Sequence, residues 1–153
     1  MRRAQVALTN YFVSEFEYSA NPAFDQTAES SIAIADYEVT PRTKVRTDDR
    51  KKWEVGLRVA LHESPGKNLP CTFMLDLVGF VEIDETLRDE YIDRFVNING
   101  VALVFGAARE IVRAFTSAGP SRSVILPSVT FWEPKESATP IVAAENPSAP
   151  SIS

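Results

Sequence analysis

Residues 99–115, NGVALVFGAAREIVRAF, decide how this chain folds, because two apolar stripes run along them at helical spacing. The first stripe consists of Val101, Phe105, Ala108, Val112 and Phe115, and the second of Leu103, Val104, Ala107, Ile111 and Ala114. A surface helix of a soluble domain needs only one apolar face, so the second stripe needs a cover. Either Tyr91, Phe95 and the chain end provide it, or a second subunit does. We favour a subunit, because large apolar patches usually mark interfaces.

Four residues of the first stripe, Val101, Phe105, Ala108 and Val112, are the predicted subunit contacts, although either stripe could be the outer one. The quoted segment is too short to cross a bilayer, and its carboxyl end is polar. We therefore expect no membrane insertion.

Composition limits the class of protein. The 153 residues suit one domain with a real core. A net charge of −5 argues against a nucleic-acid partner, since phosphate binding needs clustered Lys and Arg. The single cysteine excludes an internal disulfide, and the first ten residues lack the apolar core of a signal peptide. We expect a cytoplasmic protein.

Alternating apolar and polar side chains predict strands in the first half of the chain. The cleanest alternation covers residues 53–61, and residues 71–79 repeat it. Residues 32–45 favour an edge or bulged strand, because Pro41 cannot donate a backbone hydrogen bond. A further strand is predicted over residues 8–18, with Phe12, Phe16 and Tyr18 on one face.

The period then changes to that of helices. Leu87, Tyr91 and Phe95 share one helical face, Asn99 and Gly100 are predicted to end that helix, and a second helix covers residues 101–118. Four strands followed by two helices predict the α+β class. The expected arrangement is a four-stranded antiparallel sheet with both helices layered on one face.

The last part of the chain differs in composition. Residues 124–131 are predicted to be extended, because Pro127 prevents a helix. Residues 133–153 are rich in Pro, Ala and Ser, which predicts a disordered tail. The predicted domain is therefore residues 1–132.

Few residues suggest chemistry. His62 lies on the outward face of a strand and lacks a second metal ligand or a neighbouring nucleophile. Cys71 heads an apolar face, where cysteine behaves as a small hydrophobic residue. The acidic residues between positions 82 and 90 match no calcium loop. We predict neither catalytic residues nor a metal or cofactor site, and so not an enzyme.

Several motifs resemble those of the SecB family of export chaperones. Residues 99–111, NGVALVFGAAREI, are similar to the apolar segment that the family ends with Ala-Arg-Glu. Residues 124–131, VILPSVTF, resemble its Leu-Pro-Pro-Val-Asn-Phe-like segment, and residues 53–59 and 73–83 fit more loosely. The match covers about residues 8–132.

The resemblance implies a holdase that keeps unfolded preproteins soluble in long hydrophobic grooves, without ATP or metal. It also implies a homotetramer, in which dimers build an extended sheet and two dimers sandwich their helices. The residues that lie where family members line their grooves are the predicted client contacts, Phe80, Ile83, Ile125, Val129, Phe131 and Trp132.

Two departures from the family bear on its partners. The family's final helix, which flanks the groove and contacts the translocase motor SecA, is replaced after Phe131 by a Pro-rich sequence. The family contacts SecA through an acidic sheet edge, which this sequence matches only in part. Glu15 and Asp76 lie near positions of that edge, and Ser19 stands where an acidic residue is expected. Two alternatives to export follow: a SecB-like chaperone dedicated to the antitoxin of a toxin–antitoxin pair, or a non-chaperone oligomeric adaptor.

Overall fold

The computed structural model describes residues 3–28, 32–119 and 123–131, so Trp132 and the predicted tail lie outside it. The strands form one antiparallel sheet in the order β1-β4-β3-β2. Their bounds are β1 (Val6–Ala20), β2 (Tyr37–Arg46), β3 (Asp49–Leu61) and β4 (Cys71–Ile83). A helix follows the sheet in the chain and packs on one of its faces. The predicted α+β class and four-stranded antiparallel sheet are confirmed.

The two central strands carry the core. Val55, Leu57 and Val59 of β3 have no exposed surface, and Leu57 pairs with Leu77 of β4. Their alternation places every second side chain on the face that the helix covers. β2 is an edge strand that contains Pro41, as predicted.

β1 is the other edge, and two irregularities interrupt its pairing with β4, beside Thr9 and Ser14. The hydroxyl groups of these residues donate hydrogen bonds to the carbonyl oxygens of Phe80 (3.1 Å) and Asp76 (3.2 Å). An inserted residue turns the following side chains to the other face of a sheet. Phe12 therefore lies opposite Val78 on the uncovered face, and the prediction that it shares a face with Phe16 and Tyr18 is wrong.

The helical region is one continuous helix, Asp89–Ser117, of 29 residues. It consists of α1 (Asp89–Phe95), a π-helical turn (Val96–Gly100) and α2 (Val101–Ser117). The predicted break at Asn99 and Gly100 is wrong, since Gly100 has helical dihedral angles, φ −62° and ψ −46°. Glycine costs a helix about 1 kcal/mol, and burial of the neighbouring Val96 and Val101 in the core offsets that cost.

By length and composition this helix could cross a membrane, although the core helix of a soluble protein passes the same test. The expectation of no membrane insertion stays a prediction. The apolar residues of the helix have a role in the fold, because Val101, Val104, Ala108 and Val112 are buried in the core. Gly79 of β4 permits this contact. A Cβ atom there would lie 2.5 Å from a methyl carbon of Val104.

Residues 123–131, here called the C-terminal segment, run back along α2. The Val124 N–H donates to the hydroxyl oxygen of Thr116 (2.8 Å), and Arg109 Nε donates to the Leu126 carbonyl (3.2 Å). At its end, Phe131 stacks edge-on against Phe105, with ring centres 5.6 Å apart. The segment is therefore fixed to the helix at three points.

Candidate functional site

A groove opens beside the amino-terminal end of β2. Residues 32–34, here called the first wall, and Ser123, Val124, Ile125 and Pro127 of the C-terminal segment, here called the second wall, line it. Phe24, Tyr37 and Pro70 are also among its lining residues. Its volume is about 320 Å³. None of the described lining residues carries a charge.

Large aliphatic side chains are exposed on both walls of this groove. Ile34 is 67% exposed on one wall and Ile125 is 66% exposed on the other. In contrast, Val124 and Leu126 on either side of Ile125 are buried in the core. Side chains thus alternate along the C-terminal segment, so that Val124 and Leu126 point into the core and Ile125 lies at the groove. Exposed apolar area favours binding by about 25 cal/mol for each Å² that a ligand covers.

An ion pair holds the first wall. Lys67 Nζ lies 2.7 and 2.9 Å from the carboxylate oxygens of Asp36, and the Ala33 N–H donates to the same carboxylate (2.7 Å). The hydrogen bond from Lys67, followed by that from Ala33, lowers the pKa of Asp36 below its usual range. The carboxylate is ionised at neutral pH and fixes the backbone beside Ile34.

Tyr37 supplies a polar group to the groove. Burial, with smaller contributions from Cys71 and Asp36, raises the pKa of its phenol to about 12. The phenol is therefore protonated at neutral pH, and Tyr37 adds no charge to the groove lining.

The structure brings one of the six predicted client contacts, Ile125, to the groove. Val129 and Phe131 are half-buried against the core, and Trp132 lies outside the described residues. Phe80 lies on the uncovered face of the sheet, against Phe12 (6.0 Å between ring centres). Ile83, at the far end of β4, is only 5% exposed. Ile83 therefore belongs to the core, and the structure gives no support to its predicted role as a client contact.

The prediction missed the other described lining residues of the groove, among them Phe24, Ile34, Tyr37 and Pro70. They come from separate parts of the sequence, and only the fold brings them together. One available signal was the loss of strand period near Asp36, where a 3-10 turn (Ile34–Asp36) projects Ile34 outward.

The predicted subunit contacts need correction. Val101, Phe105, Ala108 and Val112 are 0–4% exposed within one chain, since they pack in its own core and against Phe131. The apolar residues of α2 that remain exposed or half-buried come from both stripes, since Leu103 belongs to the second and Phe115 to the first. They form, with β1, what we call the outer helix surface: Leu103, Ala107, Ile111, Phe115, Tyr11 and Val13.

The outer helix surface is apolar at several positions. Leu103 and Phe115 are 39% and 45% exposed, and Tyr11 and Val13 of β1 are 44% and 43% exposed. Phe115 reaches β1, where it packs edge-on against Phe16 (4.5 Å) and Tyr18 (5.0 Å). This surface is where a second subunit would find apolar contacts.

The structure does not support the predicted role of Asp76 as a SecA contact. Its side chain is buried, and both carboxylate oxygens accept hydrogen bonds from Arg58, at 2.7 and 2.9 Å. This pairing lowers the pKa of Asp76. Glu15, its neighbour on β1, is exposed and stays a candidate.

The other reactive side chains are engaged in structure. His62 Nε2 lies 2.7 Å from Glu38 at the surface, and Cys71 is buried, which raises the pKa of its thiol. Among residues 3–28, 32–119 and 123–131, no cluster of His, Cys, Asp and Glu could hold a metal ion.

A four-stranded antiparallel sheet with one long helix along a face defines a SecB-like fold. Among solved structures, the chain is similar to the Mycobacterium tuberculosis Rv1957 SecB-like chaperone in complex with a ChAD peptide from the Rv1956 HigA1 antitoxin. The TM-score is 0.63 at 11% identity, over 82% of this chain and 91% of that one. At this identity the likeness concerns the fold.

A protein of unknown function from Streptococcus agalactiae also matches, with a TM-score of 0.44 and 14% identity, over 80% of this chain and 97% of that one. Neither a protein-family model nor a curated protein matches the sequence.

Proposed function

We propose that this protein is an ATP-independent chaperone that holds unfolded polypeptide segments in the groove between residues 32–34 and the C-terminal segment. One observation carries the proposal: Ile34 and Ile125 are both about two-thirds exposed on the two walls of an uncharged groove. Exposed aliphatic side chains in such a place suit a ligand that supplies the missing apolar contacts.

Such contacts fit a holdase. Hydrophobic burial is non-directional, so segments of many sequences can bind and specificity stays low. Affinity for one segment is modest, because the groove is small. A client that reaches grooves on several subunits gains avidity, since each bound segment raises the effective concentration of the next.

We further propose a homotetramer assembled through the outer helix surface. Exposed apolar side chains at Leu103, Phe115, Tyr11 and Val13 support this contact. Leu103→Asp should reduce the mass measured by light scattering after gel filtration, with an unchanged circular dichroism spectrum. An unaltered mass would place the subunit contact elsewhere.

The client is an unfolded preprotein awaiting export or, in the second candidate function, an antitoxin. The similar Rv1957 chaperone is bound to an antitoxin peptide, which supports the second. The burial of Asp76 weakens the first, because it leaves Glu15 alone of the two predicted SecA contacts. We place either activity in the cytoplasm.

The test is light scattering from a chemically unfolded client diluted into buffer with increasing protein, without nucleotide. We expect suppression of aggregation near stoichiometric ratios and its loss in Ile125→Asp. The matched control is Val45→Asp, at an exposed aliphatic residue outside the groove lining. No suppression by the folded wild-type protein would overturn general holding. Calorimetry with an antitoxin peptide would then decide between a dedicated chaperone and an adaptor.

A further inference from the structure

The sequence continues beyond the groove's second wall. The C-terminal segment ends at Phe131, and residues 132–153 follow it. Within them, residues 140–144, PIVAA, are the longest apolar run, and Ile141 and Val142 are adjacent aliphatic residues. We propose that residues 140–144 occupy the groove of their own chain when no client is bound. This inference rests on the proposed function, since it assigns the regulation of the same site.

The chemistry of the groove matches that of the run. Its described lining carries no charge, and residues 137–144, SATPIVAA, carry none either. A volume of about 320 Å³ is at the small end for binding pockets, which suits a few aliphatic side chains. Ile34 and Ile125 then lose water on both sides of the bound run.

The chain is long enough to return. An extended residue spans at most about 3.6 Å, so Phe131 lies no more than ~22 Å from Ile125, six residues earlier. Ile141 follows Phe131 by ten residues, which can span up to about 35 Å. A reversal of the chain within residues 132–139 would therefore be enough for Ile141 to reach the groove.

Tethering makes weak binding sufficient. A short flexible link gives an effective concentration of about millimolar, so a run with submillimolar affinity fills most grooves in its own chain. A client then meets only the fraction of grooves that is open, which lowers its apparent affinity in proportion. Removing the two aliphatic side chains should therefore tighten client binding about fivefold.

The first measurement uses the full chain and a fluorescein-labelled, carboxymethylated polypeptide that stays unfolded. The double variant Ile141→Ser, Val142→Ser should bind it with an about fivefold lower Kd by fluorescence anisotropy. The control is Ile152→Ser, which removes an aliphatic residue outside the run. Equal Kd values for the wild type and the double variant would overturn the proposal.

The second measurement needs no client. A disulfide is formed with diamide in the variant Ile34→Cys, Ile141→Cys, and the control pair is Ile34→Cys, Ile152→Cys. The native Cys71 is 2% exposed and will not compete. We expect the first pair to form a bond within one chain at least tenfold faster, measured by mass spectrometry. Equal rates would overturn the proposal, as would bonds between chains that increase with protein concentration.

The two measurements separate this inference from the proposed function. A rapid bond within one chain, in a protein that binds no unfolded polypeptide, would uphold the docking of residues 140–144 and refute the chaperone. If the protein binds the unfolded polypeptide and substitutions in residues 140–144 do not alter this binding, the chaperone function is upheld and the docking is refuted.

Discussion

The two faces of the sheet use the same strands for different chemistry. On the helix-bearing face, β3 contributes Val55, Leu57 and Val59, all without exposed surface. On the uncovered face, neighbouring positions hold charged residues, among them Arg58 of the pair with Asp76, and Phe12 is 48% exposed. We therefore expect the free energy of unfolding to depend mainly on the helix-bearing face. Substitutions on the uncovered face should have small effects, except where a charged side chain is buried.

The largest effect is expected on the helix-bearing face. Leu57→Ala should lower the free energy of unfolding by about 3 kcal/mol, because it removes transfer energy and leaves a cavity that β4 and the helix cannot fill. Urea denaturation followed by circular dichroism measures this. Thr40→Ala, an exposed position of β2, is the control and should change stability by less than ~0.5 kcal/mol. Similar losses in both variants would remove the contrast between the faces.

The ion pair between Asp76 and Arg58 is the exception on the uncovered face. Asp76→Ala should cost about 2 kcal/mol, less than a fully buried pair, because Arg58 is 39% exposed on its side chain and water can solvate it. The control Glu15→Ala removes the exposed acid opposite and should change little. Stability equal to wild type in Asp76→Ala would show that the pair contributes nothing.

The same pair predicts a pH dependence. Hydrogen bonding from Arg58 lowers the folded pKa of Asp76, so its stabilising effect is fully present above the unfolded pKa of about 4. The effect is lost as the pH falls through the lower folded pKa. Between pH 5 and pH 2, Asp76→Asn should therefore lose less stability than wild type in urea melts. Parallel pH profiles would contradict this origin.

A smaller effect is expected where the C-terminal segment meets α2. Arg109→Ala removes one hydrogen bond to the Leu126 carbonyl, which contributes about 1 kcal/mol. Hydrogen exchange at residues 124 to 126 should quicken about fivefold. Arg113→Ala is the control, because Arg113 pairs only with exposed Glu110 among the contacts described for it. Equal exchange in both variants would show that Arg109 does not hold the segment.

The smallest effect concerns the uncovered face itself. Phe12→Ser should change the free energy of unfolding by less than ~0.5 kcal/mol, since the ring is half exposed. Its chemical denaturation curve should overlay that of wild type. A loss above ~1.5 kcal/mol would mean that another surface covers this face.

The sequence carried enough information for the strands and the class of fold. Apolar and polar side chains alternate in β3 and β4 because one face of the sheet is buried, so this two-residue period was sufficient to predict both strands. The face of Phe12 was not predictable in this way, because an irregularity beside Ser14 depends on pairing with β4. The helical state of Gly100 likewise depends on burial of its neighbours Val96 and Val101 in the core, which outweighs the local preference of glycine.

The site was less accessible to prediction. Ile125 was found through its segment, but the wall opposite it, at Ile34, lies about ninety positions earlier in the chain. The two stripes of α2 do not divide into an inner and an outer one, because Val104 of the second is buried and Phe115 of the first is 45% exposed. Burial there depends on the sheet and on the C-terminal segment, whose Phe131 packs on Phe105, and the helix sequence shows neither contact.

The two irregularities in β1 affect the behaviour of the protein toward other chains. An uninterrupted edge strand is a template on which foreign strands add and fibrils grow. The side-chain hydroxyls of Thr9 and Ser14 donate hydrogen bonds to carbonyl oxygens of β4. The regular pairing of β1 is interrupted at these two positions, on either side of residues 10–13. We expect these interruptions to limit the addition of foreign strands along the β1 edge.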